Sequence, residues 1–173
     1  MGPVELASCS FGQSSKVSYL QMLTAVCAVV NGGRLMQPYL VQRITAPDGT
    51  VVKEMEPTVK RQVISEETSA TMCKLMEGVV TGGTGTRAAV PGYRVGGKSG
   101  TSQKLDSKNE GARIASFVAV APIEAPRLAV LVCLDEPHSW TTSGGAISGP
   151  VCAEVLQKAL PYLGIAPTET MPK

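Results

Sequence analysis

Apolar residues run from Leu20 to Val30 with only Gln21 and Thr24 to interrupt them. That density predicts a helix needing burial on nearly every side. Ser18 precedes it with Gln21 three positions on, a capping box, and Val17 and Met22 hold the staple positions. Gly32 and Gly33 mark its end. A second helical period lies in "SEETSATMCKLMEGVVTGG", where Met72, Leu75, Met76, Val79 and Val80 share a face. Ser65 caps it, Glu66 and Glu67 favour its first turn, and Gly82 and Gly83 stop it. A third, "PVCAEVLQKALPYLGI", has Pro150 in its first turn. It lines one side with Val151, Cys152, Val155, Leu156, Ala159, Leu160 and Leu163 and should kink or end at Pro161.

Between the helical segments the pattern changes. "PYLVQRITAPDGTVVKEM" predicts two strands around a Pro-Asp-Gly turn. Residues 94–103 predict a short strand, and "IASFVAVAP" and "RLAVLVCLDE" two more, joined by a short Pro-bounded link. "GGTGTRAAVPGY", "KLDSKNEGAR" and "HSWTTSGGAISG" read as loops. The order predicts an α+β fold, an antiparallel sheet packed with helices. One domain is expected over residues 1–165, with 166–173 as a flexible tail.

Composition narrows the function. With 173 residues, 43% of them hydrophobic, the chain can build one core. Net charge is +2, no Lys/Arg run occurs, and aromatics make up 4%, which argues against nucleic acid as a partner. The five cysteines are scattered, form no C-x-x-C pair, and share the chain with one histidine, His138. No metal site, disulfide framework or cofactor is expected from them. The start has neither the basic nor the apolar region of a signal peptide, and no run approaches the ~20 residues of a membrane span. The chain as written is expected to be soluble, with no export address.

Chemistry concentrates in "GYRVGGKSGTS", residues 92–102, which fits two patterns. The first is G-x-x-x-x-G-K-S, a phosphate-binding loop, with Asp135 at the end of "LAVLVCLD" as a candidate Mg²⁺ ligand. That loop needs a strand before it and a helix starting at the Lys-Ser. Here Pro91 breaks the lead-in, Gly100 follows Ser99, and only a hairpin fits between Ala121 and Arg127. The second pattern is K-S-G-T read as a strand. Lys98, Gly100 and Ser102 then point one way, Ser99 and Thr101 the other, and Gly100 lets a ligand approach the backbone. An ammonium beside hydroxyls suits a carboxylate.

The order of "SYLQMLTAVCAVVNGG", "APDGTVV", "ISEETSATMCKLMEGVVTGGTGTRAAVPGYRVGGKSGTSQ", "FVAVAP", "LAVLVCLDEP" and "GGAISGPVCAEVL" resembles the C-terminal half of the transpeptidase domain of class B penicillin-binding proteins. The resemblance covers about residues 11–165. It implies a peptidoglycan D,D-transpeptidase whose serine, in S-x-x-K, is acylated by a D-Ala-D-Ala stem peptide or by a β-lactam. It implies that Lys98 supplies positive charge, that Ser99 and Thr101 bind the ligand carboxylate, and that the strand at Gly100 holds the acyl donor. It also implies a parent enzyme outside the cytoplasmic membrane and a five-stranded antiparallel sheet, two strands of which come from the first half of the domain.

The chain contains no S-x-x-K. "TMCK", Thr71 to Lys74, has threonine for serine and lies inside a predicted helix, and "SKN", Ser107 to Asn109, follows the K-S-G-T strand where the family places S-x-N before it. Both read as structure rather than catalysis. The expectation is a fragment inactive alone, paired with the missing half of the domain or with itself. The alternatives are a non-catalytic binding module built on the same half, and a phosphate-loop nucleotide hydrolase. Arg87, His138 and Trp140 read as loop and surface residues, and Asp135 and Glu136 as solvated strand ends.

Overall fold

The computed structural model describes residues 2–10, 12, 16–104 and 107–168. After a short helix α1 (Pro3–Ser10) comes α2 (Tyr19–Val30). Ser18 caps α2 by accepting from the Gln21 amide, while the Gln21 side chain accepts from the Ser18 amide. Gly32 and Gly33 follow at φ +85°, the left-handed turn that ends the helix. The chain then forms β1 (Arg34–Met36), β2 (Arg43–Thr45), β3 (Val51–Glu54) and β4 (Val59–Gln62). β1 pairs with β4 and β2 with β3, each antiparallel. The Pro-Asp-Gly turn closes β2 on β3, with the Thr50 amide donating to Asp48 Oδ1.

The long helix α3 (Glu66–Thr81) is capped by Ser65, which accepts from the Thr68 amide. A 3-10 turn (Thr86–Ala88) leads to β5 (Gly96–Gln103), β6 (Arg113–Ala121) and β7 (Leu128–Asp135). These form an antiparallel sheet in the order β5-β6-β7. The one-turn helix α4 (Gly144–Ile147) and α5 (Gly149–Tyr162) complete the chain.

β6 sits between two cores because its side chains alternate. Phe117, Ala119 and Ala121 join Cys152, Leu156 and Leu160 of α5, with Val80, Ala88, Val90, Tyr93 and Val95 around them. Val120 joins Val30, Met76 and Ile123 in the other core, towards α2 and α3. Phe117, Leu156 and Leu160 are fully buried, each stabilising the fold by roughly 1.5–3 kcal/mol relative to exposure. Buried hydroxyls are matched as well. Ser69 donates to Val29 O at the end of α2 and accepts from the Gly32 amide, and Ser148 donates to Ala115 O.

Several boundaries differ from the pattern in the sequence. α1 has no buried residue, so no apolar face announces it. β1 and β4 carry charged residues in three- and four-residue strands, too short for a visible alternation. The all-round burial expected for α2 is absent among the described residues: Tyr19, Leu20 and Met22 are exposed. The expected apolar faces of α3 and α5 are narrower than their periodicity suggests, since Leu75, Val151, Val155 and Leu163 are exposed. Pro161 falls in the last turn of α5, where the helix ends. Of the segment after Ile165, residues 166–168 are described, and the Thr168 amide donates to Gly92 O. No helix among the described residues is long and apolar enough to cross a membrane.

Candidate functional site

Among the described residues β5 lies at the sheet edge and pairs with β6 alone. Gly96 to Gln103 pair with Val120 to Arg113 in unbroken register. Two glycines let the strand and the loop before it lie close on the core. A Cβ on Gly97 would fall 2.6 Å from Phe117 Cε1, and one on Gly85, in the loop before β5, 2.7 Å from Phe117 Cζ. The buried Phe117 ring therefore fixes both the strand and the loop beside it.

Beyond Gly97 the strand becomes polar and the alternation separates its groups. Ser99 and Thr101 face α4 and the loop before β5: Ser99 Oγ lies 3.0 Å from Thr84 Oγ1. Thr101 Oγ1 accepts from the Gly144 amide at 3.2 Å and lies 3.5 Å from Thr142 O. Lys98 is exposed and its Nζ donates to Ser99 O at 2.6 Å. Gly100 has a packing reason as well as room for a ligand, since a Cβ there would meet Ser116 Oγ at 2.5 Å. Ser99, Thr101 and Thr84 thus gather hydroxyls on one side of the strand, with an ammonium on a neighbouring residue and, alongside, a backbone edge that pairs with no strand among the described residues.

Thr84, Thr142 and Gly144 join this cluster without having been picked out in the sequence. α4 is held in contact by small size: a Cβ on Gly144 would fall 2.0 Å from Ser116 O and 2.4 Å from Gly100 O, and one on Gly145 2.0 Å from Thr84 O. The Gly-Gly pair in "TSGGAIS" was the available signal, because paired glycines at a helix start mark close backbone approach.

The nucleotide reading is overturned. No helix starts at Lys98; the residue lies mid-strand, paired with Val118, in a sheet whose strands are antiparallel. The strand's amides on the β6 side are taken up by the ladder, so they cannot wrap a phosphate. Nor is Asp135 a free acid at a strand end. Lys104 Nζ lies 2.8 Å from Asp135 Oδ2 and 2.9 Å from Glu136 Oε1. These hydrogen bonds raise the Lys104 pKa, and the Lys104 bond, with a second from Ser107, lowers that of Glu136. Asp135 and Glu136 are therefore paired ends, tying the end of β5 to the end of β7.

The two near-motifs are structural. Thr71 of "TMCK" lies in α3 and its hydroxyl donates to Glu67 O one turn back. In "SKN" the Asn109 amide donates to Ser107 Oγ, and Asn109 Oδ1 accepts from the Gly111 amide, a polar turn. At the entrance to β5, Arg94 makes two bonds of 2.6 Å to Glu77 of α3. The Arg94 hydrogen bonds lower the Glu77 pKa. Trp140 is exposed, with the Arg87 guanidinium 5.5 Å from its ring centroid.

Comparison with known proteins identifies the family and the fold. Residues 3–157 match the family model "Penicillin binding protein transpeptidase domain". The chain is 44% identical over 170 residues to the stage V sporulation protein D of Bacillus subtilis, covering 96% of this chain and 26% of that protein. It is 36% identical to a probable peptidoglycan D,D-transpeptidase FtsI of Caulobacter vibrioides, covering 92% of this chain and 28% of the relative. The transpeptidase domain of Burkholderia pseudomallei penicillin-binding protein 3 superposes with a TM-score of 0.80 at 34% identity, over 98% of this chain and 50% of that structure. Penicillin-binding protein A of Mycobacterium tuberculosis, in a ceftriaxone acyl-enzyme complex, gives 0.81 at 28% identity over 92% of this chain and 37% of that structure. The chain spans about a quarter of the length of these curated relatives. Family match, identity and fold agree: this chain belongs to the penicillin-binding protein transpeptidase domain family.

Proposed function

We propose that the chain carries the ligand-binding strand of a peptidoglycan D,D-transpeptidase, with Lys98, Ser99, Gly100 and Thr101 lining the cleft. The reacting serine comes from polypeptide outside these 173 residues. In this reading Ser99 and Thr101 offer hydroxyls to the carboxylate of a D-Ala-D-Ala stem peptide or a β-lactam, and Lys98 contributes charge near the incoming serine. The free edge of β5 receives the acyl donor as an added strand. The observation that carries the reading is the cluster of Thr84, Ser99 and Thr101 hydroxyls beside that edge, which pairs with no strand among the described residues.

The chain by itself is inactive in acyl transfer. Attack on a carbonyl needs a hydroxyl next to a base that takes its proton, and the Lys98 ammonium is turned onto the Ser99 carbonyl. Intact-mass spectrometry of the purified chain with a labelled penicillin is expected to show no covalent adduct. A stoichiometric adduct would place a competent nucleophile within these residues and refute the reading. Mixed with a segment bearing S-x-x-K and S-x-N from the first half of such a domain, the pair should gain one adduct, located on that segment's serine. Lys98→Ala should slow its formation by roughly 10²-fold or more.

A further inference from the structure

The connection from β7 to α4, residues 136–143, is tied down at both ends. At one, Glu136 is held by Lys104. At the other, Thr142 O and the Gly144 amide meet the Thr101 hydroxyl. Between them Trp140 stands three-quarters exposed and lies under the guanidinium of Arg87. Arg87 belongs to the 3-10 turn Thr86–Ala88, which Gly85 joins to Thr84, the partner of Ser99. Arg87 has no carboxylate partner among the described residues, so the ring is its anchor.

We infer that Arg87 and Trp140 are positioning residues for the carboxylate-binding hydroxyls: their contact clamps the β7–α4 connection onto the Thr84 loop. This rests on the function proposed above for Ser99 and Thr101. The clamp acts through geometry. Thr101 Oγ1 accepts from the Gly144 amide and donates to Thr142 O at 3.5 Å, a long bond that leaves its proton open to exchange for a ligand carboxylate. That arrangement lasts only while Gly144 stays seated. The wedged glycines fix where α4 can sit, and the Arg87–Trp140 contact keeps the loop ahead of it from lifting. Without the clamp the Thr101 hydroxyl rotates freely and the ligand must order it on binding.

Trp140 is the chain's single tryptophan, so its indole signal reports the clamp without ambiguity. The test uses amide hydrogen exchange and NMR on the full 173-residue chain. In Arg87→Ala and Trp140→Ala, the Gly144 amide is expected to exchange about two- to five-fold faster, as loss of an exposed cation–π contact implies. Arg87→Lys and Trp140→Phe, which keep a cation over a ring, should restore most of the protection. Unchanged Gly144 exchange in both alanine variants would overturn the inference, even if the indole resonance moved in Arg87→Ala. Titration with N-acetyl-D-alanyl-D-alanine forms the second arm. Perturbation of Thr101 and Gly144 that weakens in Arg87→Ala supports the clamp. If the peptide perturbs neither residue in the unaltered chain, the carboxylate-site reading fails, while the exchange result still decides whether the clamp exists.

Discussion

Glu77 and Arg94 join α3 to the entrance of β5 through paired charge-assisted hydrogen bonds. Arg94 lowers the Glu77 pKa, so the pair's stabilisation is complete above the ordinary carboxylate range and is lost as pH falls through the folded value. Glu77→Gln should cost about 1 kcal/mol at neutral pH, screening having reduced a stronger bond because Arg94 is 40% exposed. Urea midpoints of the two proteins should converge as the solution is acidified. A constant gap would mean that the carboxylate charge contributes nothing. A sharper test concerns Gly144, where the added Cβ of Gly144→Ala would collide with two backbone oxygens. Separating α4 from β5 should cost roughly 2–3 kcal/mol in denaturant unfolding. The alternation from Lys98 to Thr101 was legible in the sequence because a strand's side-chain period is local. The meeting of Thr84 with Ser99, and of Gly144 with Thr101, spans 15 and 43 residues and leaves no periodic trace.

Among the elements, those with local punctuation could be read in advance. α2 and α3 begin at serine caps and stop at glycine pairs, and the link between β6 and β7 is too short for anything but a hairpin. Burial was less legible, since periodicity marks which side of a helix is apolar but not how much of that side a neighbour covers. α5 separates the two cases. Leu156 is fully buried against the sheet, while Val155, on the expected apolar side, remains exposed. Leu156→Ala should cost about 2–5 kcal/mol and Val155→Ala under about 0.5 kcal/mol, measured by urea unfolding. Equal costs would mean that α5 packs with a different rotation. Cys152, on the same buried stripe, has its thiol pKa pushed up to about 11, chiefly by burial. Thiol reagents at neutral pH should therefore leave it unmodified in the folded chain.

For the molecule as a whole, the chain covers half of a solved transpeptidase domain, and its surface reflects that share. Tyr19, Leu20 and Met22 are exposed on the helix whose composition called for burial, the kind of apolar surface that promotes association. Sedimentation of the isolated chain is expected to depend on concentration, and Leu20→Glu with Met22→Glu should weaken that dependence. β7 pairs with β6 alone among the described residues, so every second amide along it points outward with no ladder partner. Deuterium should enter the strand in a striped pattern, outward sites filling quickly and inward ones slowly. Any polypeptide that lies down beside Leu128–Asp135 would wipe out the stripes, and the strand would thereby record the arrival of its own neighbour.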